Sequence, residues 1–201
     1  MFKIDWLFKN RSFQFYTNGK CICVKNKIQE ILNLDISGYY FGNSLHFYGC
    51  NTLEKWDDIC YINEIFKSTY SVLIGKDIEC FAEDIFGNQF CIILDQFYFL
   101  NIETAEISFI SSNLNDFLSS LYNDVTFYSG YNLTNDMNKY DIISLSNGHR
   151  LCPRKPFVIG GDYETKNLFL SNFNTNLETN FSFAKQVYNL PDGQDVEIRH
   201  Y

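Results

Sequence analysis

The sequence predicts an α+β fold: a single domain over residues 1–201 in which a central antiparallel β-meander is packed by helices. Three observations carry that expectation. From Ser71 to Ile110 the chain runs through SVLIG, IECFAED, NQFCIIL, QFYFLNI and EISFIS, five β-rich runs broken by short turn signals at the roughly 8 to 12 residue spacing of a meander. Directly afterwards, SSNLNDFLSSLYND sets Leu114, Phe117, Leu118, Leu121 and Tyr122 at helical spacing, with Ser111 or Ser112 as its cap, and such an amphipathic helix should lie on the sheet. The composition is globular, 46% hydrophobic and 20% charged with only 3 Pro and 11 Gly, and 201 residues are enough to bury a sizeable core.

The remaining elements follow in chain order. SFQFYT-NG-KCICVK places Asn18-Gly19 between two alternating runs, a strong hairpin signal that predicts strands at about 12–17 and 20–25. KIQEILNL puts Ile28, Ile31 and Leu32 on one side of a short helix, with Gly38 as its stop. LHFYGC, Leu45 to Cys50, reads as a strand from its aromatic content. Asn51 with Glu54 three residues later approximates a capping box for a helix whose apolar face is Leu53, Trp56, Ile59 and Cys60, and a second helical stretch runs from Ile62 to Ser68. Beyond the meander, two prolines and Gly160-Gly161 mark irregular structure before a strand at Asn167 to Leu170. A helix over 177–189 carries Phe181, Ala184, Val187 and Tyr188 on one face, Pro191-Asp192-Gly193 stops it, and VEIRHY closes the chain as a strand.

Charge and cysteine usage narrow the function classes. The net charge of −8 is concentrated between residues 29 and 124, where fifteen acids face Lys55, Lys67 and Lys76 alone. Such a block repels phosphates, so no direct nucleic-acid partner is expected despite an aromatic content of 18%, and it steers encounter with a basic protein. No apolar run reaches the roughly 18 residues that would cross a bilayer, and no leader pattern is visible, so the expectation is a cytoplasmic protein without membrane contact. Cys21, Cys23, Cys50, Cys60, Cys80, Cys91 and Cys152 form no Cys-x-x-Cys pair, which fits a reducing compartment, buried thiols, and no metal or cofactor.

The familiar catalytic motifs are missing: no His-Glu-x-x-His, no Gly-x-Ser-x-Gly and no glycine-rich phosphate loop occur, and the histidines are His46, His149 and His200 alone. His149 near Cys152 sets no geometry for a nucleophile pair. Glu83 and Asp84 in CFAEDIFGNQF invite an acid–base reading, yet neighbours in a strand point to opposite faces. Gly87 and Asn88 instead tolerate the positive φ of a hairpin connection, so a turn is favoured over a catalytic loop. Trp56 is weighed as a ligand-stacking ring and favoured as core. Arg150, Arg154 and Lys155, with Pro153 and Pro156, form a basic cluster weighed as an anion site and favoured as a turn with solvated charges.

The order Tyr48-Gly49…Leu53…Trp56, then IECFAEDIFGNQF, QFYFLNIETAEISFI and SNLNDFLSSLY, resembles the SUKH superfamily. The family's Asp-x-x-Gly turn is matched by Asp84-Ile85-Phe86-Gly87 and its acidic turn by Glu103-Thr104-Ala105-Glu106, where Ala105 replaces the usual glycine. The likeness covers about residues 40–122, with 123–201 as a looser C-terminal extension. The family's N-terminal helix, ending in Leu-Pro and followed by Asn-Gly, is not matched. The resemblance implies an α+β binding module with no catalytic residue to transfer, many members being bacterial immunity proteins that neutralise polymorphic toxins. The expected partner is therefore a cognate toxin, a basic nuclease for instance, and the acids expected to bind it are Glu54, Asp57 and Asp58 beside Trp56 and Glu79, Glu83 and Asp84 on the meander. A regulatory scaffold without a toxin, or a carboxylate enzyme, are the alternatives.

Overall fold

A computed structural model describes residues 2–15, 21–134, 145–191, 193, 194 and 197. Helix α1 (Phe2–Lys9) leads into β1 (Arg11–Gln14), α2 (Asn26–Leu32), β2 (Gly38–Tyr40) and β3 (Leu45–Phe47). A 3₁₀ turn (Lys55–Asp57) precedes α3 (Ile59–Ser68) and α4 (Tyr70–Ile74). The meander is β4 (Glu79–Asp84), β5 (Gln89–Ile93), β6 (Gln96–Leu100) and β7 (Ile107–Ser111), followed by α5 (Leu114–Asn123) and α6 (Val125–Ser129). The chain then forms β8 (His149–Pro153), two 3₁₀ turns (Phe157–Ile159 and Thr165–Asn167), β9 (Leu168–Asn172) and α7 (Phe173–Val187).

The first seven strands make one sheet in sequence order, every neighbour antiparallel, and β8 pairs with β9 separately. The α+β reading with a central antiparallel sheet packed by helices is therefore correct. Phe117 of α5 lands where the helical spacing places it, with ring centroids 5.3 Å from Phe81, 5.6 Å from Phe90 and 5.2 Å from Phe97. Its cap is Asn113, whose side chain accepts from the Asp116 N–H, in place of Ser111 or Ser112. The α2 apolar face is also as expected, with Ile28, Ile31 and Leu32 buried.

Several local expectations fail for identifiable reasons. The Asn18-Gly19 turn lies outside the described residues, but Cys21 to Lys25 form no strand, and β1 pairs instead with β2. Gly38, expected to stop α2, sits inside that pairing at φ +143°, where an added Cβ would fall 2.1 Å from the Phe13 carbonyl oxygen; α2 has already ended at Leu32. SVLIG is helical in α4 despite its β-rich composition, because the chain must cross from α3 to the sheet, and Gly75 ends the helix at φ +71°. The cap of α3 is Asp58 in place of Asn51, accepting from the Cys60 and Tyr61 N–H groups at 3.0 and 3.2 Å, and Leu53 is left fully exposed instead of packing on a helix. The segment around Pro153 that looked irregular is strand β8, which tolerates Pro at its end. The closing VEIRHY strand lies largely outside the described residues.

Candidate functional site

The sheet has one polar row. Tyr39 on β2 is opposite His46 on β3, His46 is opposite Glu83 on β4, and Glu83 is opposite Gln89 on β5, so a single line of side chains crosses four strands on one face. The other face of the same strands carries Phe47, Ala82 and Phe90 in register, with Phe90 against Phe117 of α5. Strand β8 covers the polar row: the Leu151 N–H donates to the Ile85 carbonyl at 2.8 Å, and Arg150 beside it reaches inward.

Arg150 is the key to the row. Its guanidinium donates to Glu83 Oε1 and lies 3.0 Å from His46 Nδ1, while its second nitrogen donates to the His149 carbonyl at 2.7 Å. His46 Nδ1 is 2.8 Å from the same Glu83 oxygen, and its ring stacks on Tyr39 with centroids 4.1 Å apart. Tyr39 donates its hydroxyl hydrogen to Asp57 at 2.7 Å and accepts from the Gly148 N–H at 3.1 Å. Tyr48 donates to Gln89 at 2.9 Å, and Gln89 donates to the Gly87 carbonyl at 2.8 Å, closing the row beneath the β4–β5 turn.

Burial sets the charge states. It drives His46 down to about 4, so the imidazole is neutral near pH 7. Burial also opposes the Glu83 carboxylate, but the Arg150 charge and the His46 contact outweigh it and hold Glu83 below its ordinary value. Asp57 is pushed up to about 7 by burial, against the hydrogen bond from Tyr39. Histidine, two carboxylates, tyrosine and arginine form a chemically capable set, yet Tyr39, His46, Glu83 and Arg150 are at most 1% exposed. Their contacts join β2, β3, β4 and β8, an arrangement that holds these strands together.

The six acids expected at a partner surface separate accordingly. Glu54 is exposed, and Asp58 is half-buried as the α3 cap. Asp57, Glu79, Glu83 and Asp84 are buried, which corrects their reading as surface contacts. Asp57 serves Tyr39, Glu79 lies 3.4 Å from Lys25 Nζ, and Glu83 pairs with Arg150. Asp84 folds the hairpin, accepting from the Phe86 and Asn88 N–H groups at 2.8 and 2.9 Å and from the Asn88 amide at 2.8 Å. CFAEDIFGNQF is thus the hairpin the sequence favoured, with Gly87 at φ +89°. Arg150 belongs neither to an anion site nor to a solvated turn, whereas Arg154 and Lys155 are exposed. Trp56 packs against the core, as favoured.

A groove of about 490 Å³ runs between β8 and α7, with Glu103, Arg154, Lys155, Glu178 and Phe183 among its walls. Glu103 is committed there, its two oxygens accepting from the Phe157 and Val158 N–H groups at 2.9 Å each. Among the described residues, the side chains spaced to hold a metal ion are the sulfurs of Cys21, Cys50 and Cys60, the last of them in a disulfide with Cys23. His46 was not singled out because it is a lone polar residue in an apolar strand, and Arg150 was weighed only with Arg154 and Lys155 as a surface cluster. The signal was there: Glu83 in a run buried on both faces requires a cationic partner.

No family model and no curated protein matches this chain. The chain is similar in fold to the crystal structure of Atu4351 from Agrobacterium tumefaciens, with a TM-score of 0.57 and 12% identity over 90% of this chain and 88% of that one. Among the described residues no helix is long and apolar enough to cross a membrane.

Proposed function

We propose that this chain is a non-enzymatic, cytoplasmic immunity protein of the SUKH kind, which binds and neutralises a cognate toxin with a basic surface. One observation supports the reading above the others. Of the fifteen acids between residues 29 and 124, nine are exposed (Glu30, Asp35, Glu54, Glu64, Asp77, Asp95, Glu106, Asp116 and Asp124), whereas the groups suited to catalysis are sealed inside the sheet. The molecule offers charge to a partner and withholds reactive groups from a substrate. The residue-level likeness to SUKH domains supports the kind of partner, and long-range attraction between an acidic and a basic surface supports fast capture.

The test pairs this protein with the product of the adjacent gene, which on this reading encodes a toxin. Co-expression should protect cells and the two proteins should co-purify. A Glu30→Lys, Glu54→Lys, Glu64→Lys variant with an unchanged circular dichroism spectrum should associate on the order of tenfold more slowly at low salt. Unchanged association would overturn the electrostatic part, and failure to bind or protect would overturn the immunity reading in favour of a scaffold without a toxin.

A further inference from the structure

Four cysteines expected to be scattered, inert core residues converge at one place. Cys21 and Cys23 lie on the segment before α2, Cys50 follows β3, and Cys60 is in the first turn of α3. Cys23 and Cys60 are joined as a disulfide. Cys21 Sγ lies 3.4 Å from Cys23 Sγ and 3.6 Å from Cys60 Sγ, and the sulfurs of Cys21, Cys50 and Cys60 are all within 4.8 Å of one another. Two free thiols therefore abut a disulfide, in a pocket where Cys21 and Cys50 are 3% and 2% exposed.

We infer that the reduced chain binds one zinc ion through the thiolates of Cys21, Cys23, Cys50 and Cys60. The spacing fits: a tetrahedron built on metal–sulfur bonds of about 2.3 Å has edges of about 3.8 Å, close to the 3.4 and 3.6 Å seen here. An all-sulfur set, with Cys21 and Cys50 buried, Cys60 half-buried and Cys23 at the surface, selects a soft or borderline ion, and four thiolates would fill the tetrahedron, the character of a structural site. The location gives it a purpose. Cys21 to Lys25 have no ladder or helix of their own, and a metal there would fasten them to β3 and α3.

The chemistry balances. Two electrons from a thiol or phosphine reductant cleave the Cys23–Cys60 bond and yield two thiols; Zn²⁺ then displaces one proton from each of four thiols, leaving a complex of charge −2. Disulfide and metal are thus two exclusive states of one cluster, and a reducing compartment favours the metal.

The test uses the full chain, purified under a phosphine reductant with Zn²⁺ and then dialysed. Elemental analysis should find one zinc per chain, and four thiols should react with a disulfide reagent only after a chelator is added. Cobalt substitution should give the absorption of a tetrahedral tetrathiolate. Cys50→Ser, which leaves the disulfide pair intact, should lower the thiolate-to-cobalt charge-transfer band by roughly a quarter, in proportion to the thiolates lost. Zinc no higher in the wild-type chain than in a Cys21→Ser, Cys23→Ser, Cys50→Ser, Cys60→Ser variant would overturn the inference. So would a wild-type cobalt spectrum without thiolate charge transfer, a readout that needs no variant to fold.

Discussion

The side-chain amide of Asn63 acts as a peptide group for Cys80: it donates to the Cys80 carbonyl at 2.9 Å and accepts from the Cys80 N–H at 2.7 Å. On its β4 side, strand β3 is in register only with Ala82 to Asp84, and the β4 register shifts between Cys80 and Ala82, so Asn63 serves the Cys80 backbone groups on the side where β3 has ended. One residue of α3 thus extends the sheet where its neighbouring strand has ended.

Asn63→Ala should therefore lower stability by about 2 to 4 kcal/mol, since two buried backbone groups lose their partners together. Urea denaturation gives the magnitude, and hydrogen exchange at the Cys80 amide should accelerate. A loss under about 1 kcal/mol would show that water or a strand shift replaces the amide.

Arg150 and Glu83 should show the asymmetry of a buried ion pair. Arg150→Met alone leaves Glu83 and its neighbours without a cation and should cost about 3 to 5 kcal/mol, while Arg150→Met with Glu83→Leu should recover most of that loss. A double-mutant cycle by guanidinium denaturation measures the coupling. Additive single and double losses would mean that the pair is not coupled.

His46 and Asp57 should tilt the stability profile in opposite directions. Folding lowers His46 from 6.5 to about 4, so in between the unfolded chain holds a proton the folded chain lacks, and stability rises with pH. Folding raises Asp57 from 3.8 to about 7, so in between the folded chain holds the extra proton, and stability falls with rising pH. In the wild type Asp84, likewise raised to about 7 by burial, adds to the Asp57 slope, so His46 offsets only part of the fall. His46→Gln should steepen the fall by up to about 3.5 kcal/mol and Asp57→Asn should flatten it by up to about 4.5 kcal/mol, at about 1.4 kcal/mol per pKa unit. Urea midpoints taken at about pH 4, 5 and 6.5 would decide it, and profiles parallel to wild type would reject the assignment.

Two glycines separate strain from collision. Gly75 sits at φ +71° with nothing within 4 Å of an added Cβ, so Gly75→Ala should cost only about 1 kcal/mol of backbone strain. Gly38→Ala would drive its Cβ into the Phe13 carbonyl and should displace β1, costing more than about 3 kcal/mol. Equal thermal midpoints for the two variants would contradict the close approach of β1 to β2.

The meander and α5 were legible because their information is local: period-two runs, a four-residue turn held by Asp84, and an apolar stripe over Leu114 to Leu121. What was not legible depends on distant parts of the chain. SVLIG looks like a strand to any local scale, and only its place between α3 and β4 makes it a helix. Glu83 looked like surface charge because its partner on β8, Arg150, arrives 67 positions later. The cysteines looked scattered because separations such as the 37 residues from Cys23 to Cys60 close only in three dimensions.

That 67-residue interval has a meaning during synthesis. At about 5 to 20 residues per second, the ribosome makes Glu83 some 3 to 13 seconds before Arg150. All seven strands of the main sheet exist by then, but its polar row has no guanidinium. The neighbour in register that can take a positive charge is His46, whose imidazole can carry in the nascent chain the proton that the finished fold denies it. Nascent chains arrested at Gly148 should stay protease-sensitive, and chains extended past α7 should resist. Strand β8, carrying Arg150, thus acts as a latch that closes the main sheet only after all of its strands have been made.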